Sequence, residues 1–140
     1  MDKSSRVFDV RTFLGTSGLA KTIVAYRRSE IIFAQGDPSD RVMYIQEGGV
    51  KLSAQSKGGR DVVVAMLGPG DFFGEGCLAG QSRRLGNATA VTHTSVLTIQ
   101  KMDMNEALRD RRAFSDDFIA HLLAQHVHIE QQLIDQILSA

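Results

Sequence analysis

Cysteine is nearly absent from this sequence, Cys77 being the only one. A lone thiol excludes an intramolecular disulfide, a cysteine-ligated iron–sulfur cluster and a structural zinc site built on cysteines. It suits a reducing compartment. Net charge is absent as well, with 16 basic residues against 16 acidic ones. A balanced chain presents no electrostatic footprint to nucleic-acid backbones or anionic lipids. No apolar run approaches the roughly 18 residues of a membrane span, and the opening MDKSSRVFDV lacks the apolar stretch of a secretion signal. The expected setting is therefore cytoplasmic, with no membrane partner. What remains is ordinary for one globular domain: 140 residues, 43% hydrophobic and 23% charged, enough to bury a core.

Glycine and proline are missing from Asp103 onward, whereas all 13 glycines fall between Gly15 and Gly86. The glycine-rich part alternates β-prone runs with turn residues. Lys21–Arg27 and Ile31–Ala34 come first, followed by the turn Gly36-Asp37-Pro38-Ser39-Asp40. Val42–Gln46, Val50–Ser56 and Asp61–Leu67 follow, separated by Gly48-Gly49 and by a tip at Lys57-Gly58-Gly59. Gly68-Pro69-Gly70 ends that series, and Ala88–Thr94 and Val96–Gln100 close it. Roughly seven or eight short antiparallel strands predict a mainly β fold with flanking helices: a jelly-roll-like barrel, or double-stranded β-helix. A loop-rich sandwich is the alternative.

The glycine-free part reads as a long helix. Ser115 before Asp116 and Asp117 predicts an N-cap with negative charge at the positive end of the dipole. Ile119, Leu122, His126, Ile129, Leu133 and Ile137 recur at steps of three and four, and Leu123, Val127, Ile134 and Leu138 form an adjacent stripe. One surface helix needs a single stripe of about 100°. Two stripes predict two partners, the barrel on one side and the same helix of a second copy on the other. One broad core-facing stripe in a monomer is the alternative. In a homodimer, Leu122, Ile129, Leu133 and Ile137 would lie near the axis with His126 among them. The chain thus divides into a barrel, 1–112, and a dimerisation helix, 113–140.

The stretch that carries chemistry is LGPGDFFGEGCLAGQSRRLGNATAVTHTSVLTI, residues 67–99. Glycines opening a helical turn let the backbone approach an anion and aim amides at it. Glu75 would repel a phosphate and so needs another role, such as accepting from ribose hydroxyls. Arg83 and Arg84 follow at a distance, and the arginine fork suits two phosphate oxygens. The order of these pieces, with IIFAQGDPSDRVMYIQEGGVKL before them, resembles the cyclic-nucleotide-binding domain. More narrowly, it resembles the N-terminal sensor half of the catabolite activator and fumarate–nitrate regulator (Crp/Fnr) family.

The resemblance implies a phosphate-binding cassette made of Phe73, Gly74, Glu75, the amides of Gly76 and Cys77, and Arg84. The glutamate would hold the ribose 2′-hydroxyl and the arginine the cyclic phosphate of cyclic AMP or cyclic GMP. It also lays the long helix over the base, which puts Glu130 or Gln131 within reach of it. A transcription regulator would meet DNA only through a domain outside this chain. A stand-alone, kinase-type or channel-type module is the alternative. Two departures stand out. Leu85-Gly86 replaces the small, often hydroxylated residue and the alanine that usually follow the arginine, which leaves open a pocket tuned to another small anion. Ser29 replaces a hairpin glycine.

Other signals are weaker. His126 and His128 point to different sides of a helix and cannot share a metal. A cupin enzyme would need its His-x-His on a strand. His93 and Cys77 have no pattern supporting a haem. No catalytic constellation is present, so neither an enzyme nor a resident cofactor or metal is expected.

Overall fold

Eight strands and two helices follow one another along residues 19–139, the part that a computed structural model of the chain describes. The opening MDKSSRVFDV and Ala140 lie outside the described residues. The strands are β1 (Thr22–Tyr26), β2 (Ile31–Phe33), β3 (Arg41–Glu47), β4 (Val50–Gln55), β5 (Asp61–Leu67), β6 (Phe72–Phe73), β7 (Asn87–Ala90) and β8 (Thr94–Gln100). A 3₁₀ turn, Glu75–Ala79, follows β6, and the helices are α1 (Lys101–Asp110) and α2 (Arg112–Leu138). Two four-stranded sheets result, β1-β8-β3-β6 and β2-β7-β4-β5, with every pair antiparallel. They face one another as a jelly roll rather than closing into a continuous barrel. The two-residue β6 was not expected from the sequence.

Alternation along the strands sorts the core into two layers. Met43, Ile45, Phe73 and Val96 turn inward and meet Val50, Ala65, Leu67 and Ala88 of the opposite sheet. Their neighbours Val42, Phe72, Leu97 and Ile99 turn outward and meet Met104 and Ala107 of α1 and Phe114 and Phe118 of α2. The central strands β3 and β8 are thus covered on both faces, so β3 carries an unbroken apolar run from Val42 to Ile45 and β8 the adjacent pair Val96 and Leu97. Each large side chain buried here contributes about 1.5–3 kcal/mol.

The start of α2 corrects the expected cap. Ser115 lies inside the helix, its amide donating to the Arg111 carbonyl at 2.9 Å. The break falls at Arg111, in extended conformation at φ −129° and ψ 91°. There the chain folds back, so that Phe118 meets Phe72 edge-on with ring centroids 4.9 Å apart. Asp116 and Asp117 therefore sit one turn in, on the solvent side.

Two apolar faces run along α2, rotated from the expected stripes. Phe114, Phe118, Leu122 and Ile129 pack on the chain's own roll, Ile129 against the layer between the sheets. Ile119, Leu123, Val127, Ile134, Ile137 and Leu138 are exposed, as are Leu133 and His126. Leu122 and Ile129, expected near a twofold axis, thus turn toward the roll. No helix among the described residues is long and apolar enough to cross a membrane.

Ser29 is the only non-glycine at positive φ among the described residues, at 73°. It is held there by the hydrogen bond its amide donates to the Ala90 carbonyl, 2.8 Å. A β-carbon in this region costs about 1–2 kcal/mol. Ser29→Gly is expected to raise unfolding stability by roughly 0.5–1 kcal/mol, net of the extra freedom glycine has when unfolded. A urea titration checks this, and an unchanged or lower midpoint would contradict it.

Candidate functional site

Arg84 is placed by backbone before its side chain acts. Its amide donates to the Asp37 carbonyl and its carbonyl accepts from the Gly36 amide, both at 2.8 Å. Asp37 shapes that loop by accepting from the Ala34 amide at 2.9 Å. The two segments thus pair across the roll, and Arg83 and Arg84 fall on opposite sides of the pairing. Arg83 is exposed and donates to the Gly36 carbonyl. Arg84 is 5% exposed. Of the two arginines, the one chosen from the sequence is thus the buried one.

The buried guanidinium meets carbonyls rather than carboxylates. One terminal nitrogen donates to the Gly74 carbonyl at 2.9 Å and the other to the Arg41 carbonyl at 2.8 Å. The central carbon lies 4.3 Å from the centre of the Phe33 ring, a favourable cation–π position. Nε is buried with no hydrogen-bond partner, and no carboxylate among the described residues forms an ion pair with this arginine. Burial pulls its pKa below the ordinary arginine value.

Opposite stands the glycine turn. Gly74 has φ 77°, and a β-carbon there would lie 2.5 Å from Met43 Cε and 2.8 Å from an Arg84 nitrogen. Only glycine fits. The 3₁₀ turn beginning at Glu75 leaves its first amides without partners of its own. Burial raises the Glu75 pKa above the usual carboxylate range, while its own backbone amide and Arg84 act the other way.

Between these walls lies a cavity of about 340 Å³, within the range of small-molecule sites. Gly74, Glu75, Gly76, Gln81 and Arg84 make one side polar, and Phe33, Leu52, Val64 and Leu85 make the other apolar. The expected residues Gly74, Glu75, Gly76, Arg84 and Leu85 are brought together here. Phe73 lies beneath, in the layer between the sheets, its ring 6.1 Å from that of Phe33. The Cys77 side chain points the other way, into the helix-facing core, and burial raises its thiol pKa. Glu130 and Gln131 do not line the cavity; both are exposed on α2, and Gln131 bonds Asp135 at 3.0 Å.

Sequence reasoning missed Phe33 and Gln81. Phe33 stood in the quoted run IIFAQGD but reads there as an ordinary strand aromatic, and Gln81 carries no pattern. Gly86 has its own reason. A β-carbon on it would collide with the Ser53 carbonyl oxygen, so the alanine usual in the family does not fit this backbone. No group of His, Cys, Asp and Glu among the described residues is arranged to hold a metal.

Comparison with known proteins agrees with this geometry. A CRP-like cAMP-activated global transcriptional regulator of Mycobacterium tuberculosis is 27% identical over 114 residues, 81% of this chain and 51% of that protein. A global nitrogen regulator of Synechococcus elongatus is 30% identical over 122 residues, 86% of this chain and 55% of the relative. Among solved structures, the catabolite activator protein of Thermus thermophilus matches with a TM-score of 0.68 at 30% identity, over 85% of this chain and 55% of that one. This chain spans about half the length of the curated relatives it matches. The family model of the cyclic nucleotide-binding domain matches residues 23–111. That is well over half of the chain, and the chain belongs to the cyclic nucleotide-binding domain family.

Proposed function

We propose that this chain is the effector-binding and dimerisation part of a Crp/Fnr-like transcription regulator, and that its effector is a cyclic nucleotide such as cyclic AMP or cyclic GMP. The observation that carries this is the buried, carboxylate-free Arg84 beside the glycine turn. A desolvated cation with an unpartnered nitrogen is relieved by an anion, and a cyclic phosphate offers two oxygens to the fork. Glu75 then accepts from a ribose hydroxyl, and the amides of Gly76 and Cys77 face the phosphate. The apolar wall of Leu52, Val64 and Leu85 receives the flat base. Residues 1–112 bind, and 113–140 pair with a second copy. DNA is met through a domain other than this one, and the description of the Mycobacterium tuberculosis relative as a global transcriptional regulator favours that reading over a kinase or channel module.

Titration of the whole chain with cyclic AMP and cyclic GMP tests the pocket. Arg84→Ala is expected to weaken binding by about 1.5–3 kcal/mol, roughly 10- to 150-fold in Kd. Equal affinity in wild type and variant removes Arg84 from the phosphate.

Leu85 gives a second reading its footing, because an apolar side chain stands where the family places a small or hydroxylated one. Leu85→Ser is expected to tighten binding or to change the preference between the two nucleotides. If wild type and Leu85→Ser both bind neither, the pocket serves another small anion.

For the dimer, the 27 residues of α2 run about 40 Å at ~1.5 Å each. They leave a contiguous apolar face that a monomer would expose to water, with Leu123 62% and Ile137 71% accessible. Wild type is expected to sediment as a dimer at tens of micromolar. Leu123→Asp, which touches none of the roll's core, is expected to be monomeric with an unchanged unfolding midpoint. A monomeric wild type, or a Leu123→Asp dimer, contradicts the pairing.

A further inference from the structure

β6 is an edge strand whose outer side is completed by a side chain. Its inner side pairs with β3, at Tyr44 opposite Phe72 and Met43 opposite Phe73. The preceding residues continue the ladder, Ile45 donating to Asp71 and Gly70 to Ile45. On the outer side, the Phe72 amide donates to Gln125 Oε1 at 2.8 Å, and the Phe72 carbonyl accepts from Gln125 Nε2 at 2.6 Å. One turn earlier on α2, His121 Nε2 lies 2.6 Å from the Gly70 carbonyl. Residues 121 and 125 therefore lie along residues 70–72 in the place a further strand would take.

Chemistry selects the residue at 125. A peptide edge offers one donor and one acceptor, and a primary amide answers both at once. Leucine answers neither and glutamate only the donor. Phe72 lies two residues before Gly74, whose carbonyl is held from the other side by Arg84. The anion-facing turn is thus fixed between a strap from α2 and the arginine it works with.

We propose that Gln125 is a positioning residue for the anion-binding turn, holding Phe72 so that residues 74–77 and Arg84 face one ligand. The proposal rests on the cyclic-nucleotide reading for the identity of that ligand. Without the strap the turn samples other positions, and binding draws only on the fraction that remains competent. By reciprocity, whatever fixes α2 also fixes the turn, and a ligand on the turn restrains α2.

The test uses the whole chain with Gln125→Leu and Gln125→Glu. It reads amide hydrogen exchange by NMR without ligand and Kd for cyclic AMP by calorimetry. In Gln125→Leu, exchange at Phe72 and at residues 74–77 is expected to quicken by about tenfold or more, with β3 and β8 unchanged. Kd is expected to rise by a similar factor. In Gln125→Glu the loss is expected to be partial at neutral pH and to recover as the new carboxyl takes up its proton, which restores the donor. Unchanged exchange at residues 74–77 overturns the proposal. So does quickened exchange with unchanged Kd, a uniform loss of protection across the chain, or a Gln125→Glu defect indifferent to pH. If Gln125→Leu fails to fold, the pH response of Gln125→Glu decides. If wild type binds no cyclic AMP, the cyclic-nucleotide reading falls, and exchange at residues 74–77 still decides whether Gln125 positions the turn.

Discussion

Taking a guanidinium out of water costs on the order of several kcal/mol unless its donors are met, and Arg84 is 5% exposed. Much of the surrounding backbone is arranged to meet that cost. The carbonyls of Gly74 and Arg41 take the two terminal nitrogens, and the Phe33 ring covers the planar face. Gly74 favours glycine, since at φ 77° any β-carbon is strained and would also crowd the same nitrogen. The paired backbone at Gly36, Asp37 and Arg84 keeps the side chain from retreating to solvent. Satisfaction remains incomplete at Nε, in a residue that lines the cavity. A structural arginine at an ordinary core position would be closed by an acid, and here none among the described residues forms an ion pair with it.

The same economy runs through the first sheet. Because both of its faces are buried, β6 can be two residues long and still be rigid. Phe72 anchors outward on Phe118 while Phe73 anchors inward beside Phe33. Adjacent residues of one short strand therefore tie the helix layer to the layer under the site. α2 answers by giving one face to the roll and leaving another apolar face exposed, the face on which the proposed pairing rests.

Most of the fold was legible because glycines and alternation mark strands well. Seven strands fall within a few residues of the runs read from the sequence, and the glycine turn and Arg84 carried their own chemistry. What was not legible has physical causes. Two residues are too few for any period, so β6 was invisible. The break at Arg111 has neither glycine nor proline; it is set by the docking of Phe114 and Phe118, a tertiary effect. Ser115 offered a good cap in a place where the helix had already begun. The helical stripe through Leu122, His126, Ile129 and Leu133 straddles the two faces, Leu122 and Ile129 on the roll and His126 and Leu133 exposed, and spacing alone cannot say where one face ends and the other begins. Gln125 was hidden because its role needs an edge strand the sequence did not announce.

Leu85 and Gly86 are best understood together. The strand β7 runs so close to Ser53 that no β-carbon fits at 86, and the chain reaches that strand directly from Leu85. Leu85 is left 77% exposed at the cavity mouth. Nothing of the chain's own core gains from it, while Leu52 and Val64 extend the same apolar surface inside. Covering a leucine side chain is worth about 1.5–3 kcal/mol, and a molecule entering the cavity would cover this one along with Leu52. The matching ligand presents an anion to Arg84 and a flat apolar body to Leu85. A bare inorganic anion satisfies the first half alone. On the cyclic-nucleotide reading, the departure from the family pattern shifts the contact from hydroxyl hydrogen bonds toward apolar surface.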